Sequence, residues 1–175
     1  MREQATDPAT LPYLVRVLGS RDAPVLRQML TMFGHAFDDL ANYTARQPEE
    51  QYLQCLLASP TFIAVAALAG PQVIGGLAAY VLPKFEQPRS ELYIYDLAVS
   101  EPFRRHGVAT AMIGKLKELA AERGIYVIFV QADQGDEPAI ALYSKLGTRE
   151  NVLHFDIEPG GPNGPPGQQQ SPGGT

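Results

Sequence analysis

Between Thr61 and Val99 three apolar runs follow one another with hardly a break: Thr61–Leu68, Val73–Leu82 and Glu91–Val99. The first two are split only by Ala69-Gly70-Pro71-Gln72, a turn-forming tetrapeptide, and read as a hairpin. The third is rich in Tyr, Ile, Leu and Val. Three successive strands require a sheet, and the rest of the chain has to cover it. Ahead of them, Tyr13–Leu18 alternates as a first strand. Asp22–Phe33 carries Val25, Leu26, Met29, Leu30 and Phe33 at helical spacing, and Glu49–Leu57 follows Pro48 as a short second helix. Behind them, Val108–Arg123 puts Val108, Met112, Ile113, Leu116, Leu119 and Ala120 on one helical face, with Gly124 placed to cap its end. Ile125–Val130 reads as a buried strand, Pro138–Leu146 as a short helix and Val152–Ile157 as a final alternating strand. The order β-α-α-β-β-β-α-β-α-β predicts an α/β or α+β fold around one mixed sheet, with about four helices.

A chain of 175 residues is expected to hold one such domain, over residues 11–158. Residues 1–10 are expected to be loose. Pro159–Thr175 contains six Gly and five Pro and no aliphatic or aromatic side chain, so it is expected to form a disordered tail. Cys55 is the only cysteine, which excludes an internal disulfide framework and a cysteine-rich zinc site. Its place beside Tyr52, Leu53, Leu56 and Leu57 reads as an inert core thiol. His35, His106 and His154 are scattered and show no metal-ligand spacing, so no metal is expected. No stretch approaches 18 uncharged apolar residues, and MREQATDPAT carries no apolar signal core; a cytoplasmic location without membrane contact is the expectation. The net charge of -5 argues against nucleic acid as a partner and suits a cationic ligand.

Leu97-Ala98-Val99-Ser100-Glu101-Pro102-Phe103-Arg104-Arg105-His106-Gly107-Val108-Ala109 is the segment richest in chemistry. A strand ends, a basic turn follows, and a helix begins at a glycine. Backbone N–H groups at such a helix start attract an anion, and Arg104 and Arg105 add charge at its rim. Spacing alone reads equally well as a plain strand-to-helix turn with two solvated arginines. Neither a P-loop nor a dinucleotide fingerprint is present.

Arg104-Arg105-His106-Gly107-Val108-Ala109 resembles the [Q/R]-x-x-G-x-[G/A] signature of the GCN5-related N-acetyltransferases (GNAT), which hold the pyrophosphate of acetyl-CoA there. Ala139-Ile140-Ala141-Leu142-Tyr143-Ser144-Lys145-Leu146-Gly147 resembles the same superfamily's A-x-x-L-Y-x-x-x-G helix. Further segments are very similar to type I aminoglycoside 3-N-acetyltransferases: Met32–Phe37, Tyr43–Pro48, Ala79–Ser90, Tyr93–Val99, Val130–Asp133 and His154–Ile157. The likeness covers about residues 12–158. Asp136 stands where many members carry Asn, and Thr148 where an aromatic is usual.

The resemblance implies a mostly antiparallel GNAT sheet and an acetyl-CoA-dependent enzyme acting on a cationic aminoglycoside of the gentamicin type. The acetyl group would go to the 3-amino group of the 2-deoxystreptamine ring, by direct attack in a ternary complex. Acetylation of another polyamine or of a protein amine, and a non-catalytic acyl-CoA-binding regulator, are the alternatives. Asp96 is implied as the base and Tyr143 as the acid. From the residues alone, Asp96 reads also as a strand-end ion pair, and Tyr143 as a structural tyrosine on an apolar helix. Leu97, Ala98 and Val99 are implied to orient the thioester, and Arg104, Arg105, His106, Gly107, Val108 and Ala109 to hold the cofactor's phosphates. Asp133, Asp136, Asp156 and Tyr80 are implied as substrate-binding residues. Between Ile125 and Glu158 six acidic residues face only Lys145 and Arg149, which a polycation would need or which form a solvated acidic edge. Glu137 reads as a helix cap. A homodimer is implied by relatives that form one.

Overall fold

The computed structural model describes residues 12–155 and Ile157. The expectations for residues 1–10, for Pro159–Thr175 and for Asp156 lie outside the described residues. The described chain forms two compact units, one ending at Asp136 and the other starting at Glu137.

In the first unit the five strands β1 (Leu14–Val17), β2 (Phe62–Ala69), β3 (Gln72–Pro83), β4 (Ser90–Val99) and β5 (Val127–Val130) stand in sequence order across one sheet. The first four pair antiparallel; three helices lie between β1 and β2, and short turns join β2 to β3 and β3 to β4. β5 pairs parallel to β4, because α4 (Val108–Glu122) carries the chain back to the starting edge. The remaining helices of this unit are α1 (Ala23–Ala36), α2 (Leu40–Thr44) and α3 (Glu50–Ala58). The mixed sheet expected from the sequence is the one observed. α2 is an addition: a five-residue helix has too short a period to stand out in the sequence.

Small residues let the helices approach the sheet. On one face α1 lies so close that a Cβ at Gly76 would sit 2.4 Å from Met29 Cγ and 3.0 Å from Phe33 Cζ. On the other, a Cβ at Gly75 would sit 3.0 Å from Val108 Cγ1 and 3.1 Å from Met112 Cε of α4. Leu26, Met29, Phe33, Leu53 and Leu57 pack over Ala64, Ala66, Ala78 and Ala98 as a buried core. α4 ends where Gly124, at φ +66°, reverses the chain, with Ile125 N–H donating to the Ala120 carbonyl.

Two irregularities coincide in the middle of β4. The β3–β4 register runs Ala78↔Asp96 and then Ala79↔Ile94, leaving Tyr95 as an extra residue in a bulge. The β4–β5 ladder ends at Ile94↔Val130. Among the described residues, Tyr95–Val99 therefore borders β3 on one side and no strand on the other.

The second unit contains α5 (Glu137–Ser144). The strand expected over Val152–Ile157 is not there: residues 151–155 and Ile157 take no regular structure, and Val152, Leu153, Phe155 and Ile157 are exposed. Alternation supplies an apolar face, but a strand also needs a neighbour for its N–H groups, and no other strand lies among this unit's described residues. The reading of Cys55 as a core thiol is also corrected. Cys55 is exposed, because it stands two residues from both Leu53 and Leu57 and so faces away from the side they bury.

Candidate active site

Asp96 sits directly after the bulge, on the sheet face covered by α1. Its cross-strand partner Ala78 and its neighbour Ala98 are both buried there. Tyr43, from α2, donates its hydroxyl to Asp96 Oδ2 at 3.1 Å. The Tyr43 ring is wedged against Phe33 (centroids 5.9 Å apart) and Phe37 (5.7 Å), which are themselves stacked at 5.4 Å. α2 is held in turn by Asp39, whose carboxylate accepts from the Asn42 N–H at 3.2 Å.

Burial pushes the Asp96 carboxyl above the ordinary carboxylate range, and the hydrogen bond from Tyr43 partly opposes it. Burial and the Asp96 charge drive the Tyr43 hydroxyl far above its usual value, so it remains a donor at any working pH. A partly desolvated carboxylate with one oxygen already bonded is chemically suited to accept a proton.

Aromatic rings run across the sheet beside this carboxylate. Phe62 meets Tyr80 at 5.3 Å, Tyr80 meets Tyr95 at 5.7 Å, Tyr95 meets Tyr93 at 5.9 Å and Tyr93 meets Phe129 at 5.0 Å. Tyr95, thrown outward by the bulge, is 62% exposed. Tyr93 donates to Gln131 Oε1 at 3.0 Å, and burial raises both the Tyr80 and Tyr93 hydroxyls. Uncharged ring faces beside an anion attract a cation.

The basic turn follows the same strand. After Val99 a short 3-10 turn, Glu101–Phe103, is anchored by buried Phe103. Arg104 Nε donates to the Val99 carbonyl at 3.0 Å, so this arginine also braces the turn. Arg105 (φ +68°) and Gly107 (φ +78°) both take left-handed backbone conformations, the alternation that gathers N–H groups into a concave anion site. The first α-helical bond of α4 runs from Ala111 N–H to the Gly107 carbonyl, so the Val108, Ala109 and Thr110 N–H groups precede it. Gly107 has no side chain with which to cap them. Arg104, Arg105, His106 and Gly107 are exposed around this helix start. These residues fit a pyrophosphate. Leu97 and Val99 lie opposite Leu77 and Gly75, and their strand edge away from β3 has no neighbouring strand among the described residues.

Asp133 and Asp136 share one exposed turn after β5, closed by Asp136 N–H donating to the Asp133 carbonyl at 3.2 Å. Tyr143 belongs to the second unit, in the last turn of α5, where its carbonyl accepts from the Leu146 and Gly147 N–H groups. Asp156 lies outside the described residues. Among the described residues no helix is long and apolar enough to cross a membrane, and no group of three His, Cys, Asp or Glu gathers as for a metal ion.

The structure thus brings Asp96 and Tyr80 together within the first unit and sets the Arg104–Ala109 turn on the same strand's exit. Reading the sequence missed Tyr43, Tyr93 and Tyr95. Tyr93-Ile94-Tyr95 was a visible signal, since paired tyrosines in an apolar strand need a polar outlet. Nothing local announced Tyr43, which meets Asp96 across 53 positions.

A profile described as the acetyltransferase (GNAT) family matches residues 27–148. The structure of an aminoglycoside acetyltransferase from an uncultured soil metagenomic sample is similar at 57% identity and a TM-score of 0.82, over 83% of this chain and 97% of that one. A second aminoglycoside acetyltransferase from such a sample, in complex with sisomicin, is similar at 29% identity and a TM-score of 0.77, over 83% and 95%. An N-alpha-acetyltransferase of Sulfurisphaera tokodaii is 28% identical over 96 residues, 49% of this chain and 58% of its own. N-acetyltransferase 8B of Rattus norvegicus is 30% identical over 91 residues, 51% and 40%. The chain spans about half the length of these curated relatives.

Proposed function

The chain belongs to the GNAT acetyltransferase family, and on that premise we propose that it transfers the acetyl group of acetyl-CoA to an aminoglycoside, at the 3-amino group of the 2-deoxystreptamine ring. The observation that carries the substrate is the likeness, at 57% identity over 97% of that protein's chain, to an aminoglycoside acetyltransferase. The site's own chemistry supports it: a carboxylate beside tyrosine rings, and a carboxylate-bearing turn at Asp133 and Asp136, suit a polyamine.

Acetyl-CoA, when bound, supplies an acetyl group activated as a thioester. Val108, Ala109 and Thr110 N–H groups with Arg104, Arg105 and His106 would hold its phosphates at the start of α4. The strand edge at Leu97–Val99 offers backbone donors for a developing oxyanion. Asp96 accepts the proton that the amine must lose, and Tyr143 is proposed as the acid that protonates the departing thiolate. No enzyme nucleophile is needed. In this reading the protein works in the cytoplasm as a homodimer, and removing a positive charge from the drug gives resistance to gentamicin.

The second reading, acetylation of a protein N-terminus or another amine, is favoured by the 28% likeness to an N-alpha-acetyltransferase. One assay decides between them: free-thiol release from acetyl-CoA with gentamicin, sisomicin, spermidine and a short peptide in parallel. The expected result is release with the two antibiotics and a product carrying its acetyl group on the 3-amino nitrogen by NMR. Release with spermidine or the peptide alone would overturn the substrate assignment.

A further inference from the structure

Three features of Tyr43 go unused by the chemistry above. Its hydroxyl bonds Asp96 Oδ2 from a separate element, across 53 positions. Its ring is clamped by Phe33 and Phe37, so the hydroxyl has little freedom to leave. Its helix is pinned at both ends, by Asp39 at the start and by Gln47, whose amide donates to the Tyr43 carbonyl at 3.2 Å. Gln47 also accepts from Arg27 of α1 at 3.3 Å, which ties this support to the main helix on the sheet.

We propose that Tyr43 is a positioning residue for the base: its hydroxyl locks Asp96 Oδ2, fixes the carboxylate rotamer and leaves Oδ1 to take the amine proton. This inference rests on the reading of Asp96 as the base. The same bond keeps Asp96 ionised against its burial, which would otherwise leave it protonated over a wider acidic range. The ionisable groups around the pair are Asp39 at the cap of α2, Tyr80 from β3, and Tyr93 and Tyr95 from β4. α1 presents Phe33 to the Tyr43 ring. Burial holds the Tyr43, Tyr80 and Tyr93 hydroxyls above their ordinary value and the Asp96 carboxyl above its own.

Tyr43→Phe keeps the ring and removes only the hydroxyl. Two measurements on the full chain test the proposal. Carbon-13 NMR of the Asp96 carboxyl needs no substrate: its titration midpoint should rise by at least roughly half a pH unit in Tyr43→Phe. In parallel, kcat with gentamicin should fall about tenfold, and the acid limb of kcat/KM should move to higher pH by the same amount as the NMR midpoint. Leu116→Ala opens a cavity under α4, on the sheet face opposite the clamp, and should lower the melting temperature while leaving the limb in place. An unmoved NMR midpoint in a folded Tyr43→Phe overturns the inference, as does an equal shift in Leu116→Ala. The underlying reading fails separately, through Asp96→Asn. If that variant turns over normally, Asp96 is not the base, whatever Tyr43 does to its titration.

Discussion

Asp96 occupies a position where burial disfavours the very charge that its proposed role as base requires. The sign of the consequence follows from linkage. A carboxyl whose folded-state value is raised binds its proton more tightly when folded, so stability is lost as pH rises from the ordinary carboxylate value through the raised one. Above that raised value the loss is complete. Asp96→Asn should therefore leave the melting temperature at pH 7 unchanged or higher, the amide still accepting from Tyr43. Turnover should nonetheless fall by about 10²–10⁴-fold, the usual worth of general-base assistance. Thermal melts and steady-state kinetics on the same preparation check both halves. A variant with near-wild-type kcat between mildly acidic and mildly basic pH removes Asp96 from the base role. In the wild type, kcat/KM should fall on the acid side with a midpoint above the range of a free aspartate, since only the ionised form accepts a proton.

The turn between β4 and α4 combines two left-handed residues, Arg105 and Gly107, with a helix start that has no side-chain cap from its own glycine. A Cβ at Gly107 would meet nothing nearer than the Tyr13 hydroxyl at 3.9 Å, so the protein itself leaves room for a side chain. What opposes substitution is the backbone, which at φ +78° costs an ordinary residue about 1–2 kcal/mol. Gly107→Val should lower the melting temperature by a few degrees and weaken acetyl-CoA binding by at least about tenfold, because the branched group stands over the free N–H groups. Gly107→Asn separates the two effects. Asparagine tolerates the left-handed conformation, so stability should return while affinity stays low. Isothermal titration reads the affinity, and an unchanged dissociation constant in both variants would reduce the turn to a connector. The approach of α1 to the sheet has the same character at Gly76: the element packs because one position is empty of a side chain.

Across the whole molecule the net charge is -5, and Asp133 and Asp136 concentrate part of it on one exposed turn at the end of β5. A polycationic substrate approaching such a surface is drawn in by a field that dissolved salt screens within about 10 Å at ordinary ionic strength. The KM for gentamicin should therefore climb several-fold between low and high ionic strength, with kcat little changed. Neutralising the turn through Asp133→Asn with Asp136→Asn should flatten that dependence. A KM indifferent to salt in the wild type would show that the acidic turn is only a solvated edge.

The strands of the meander, α4 with its glycine stop and the strand-turn-helix at Gly107 were all legible in the amino-acid order. Each rests on a period or a turn preference that plays out within a few residues. Asp96 was visible too, as a carboxylate in an apolar strand. The same local logic misjudged Cys55 and the segment Val152–Ile157, whose states depend on which face is covered and on whether a partner strand exists. The bulge at Tyr95, the end of the β4–β5 ladder beside it and the Tyr43–Asp96 bond were decided only by the tertiary structure. A register shift is a property of two strands, and a bond across 53 positions exists only once α1 and α2 have docked on the sheet.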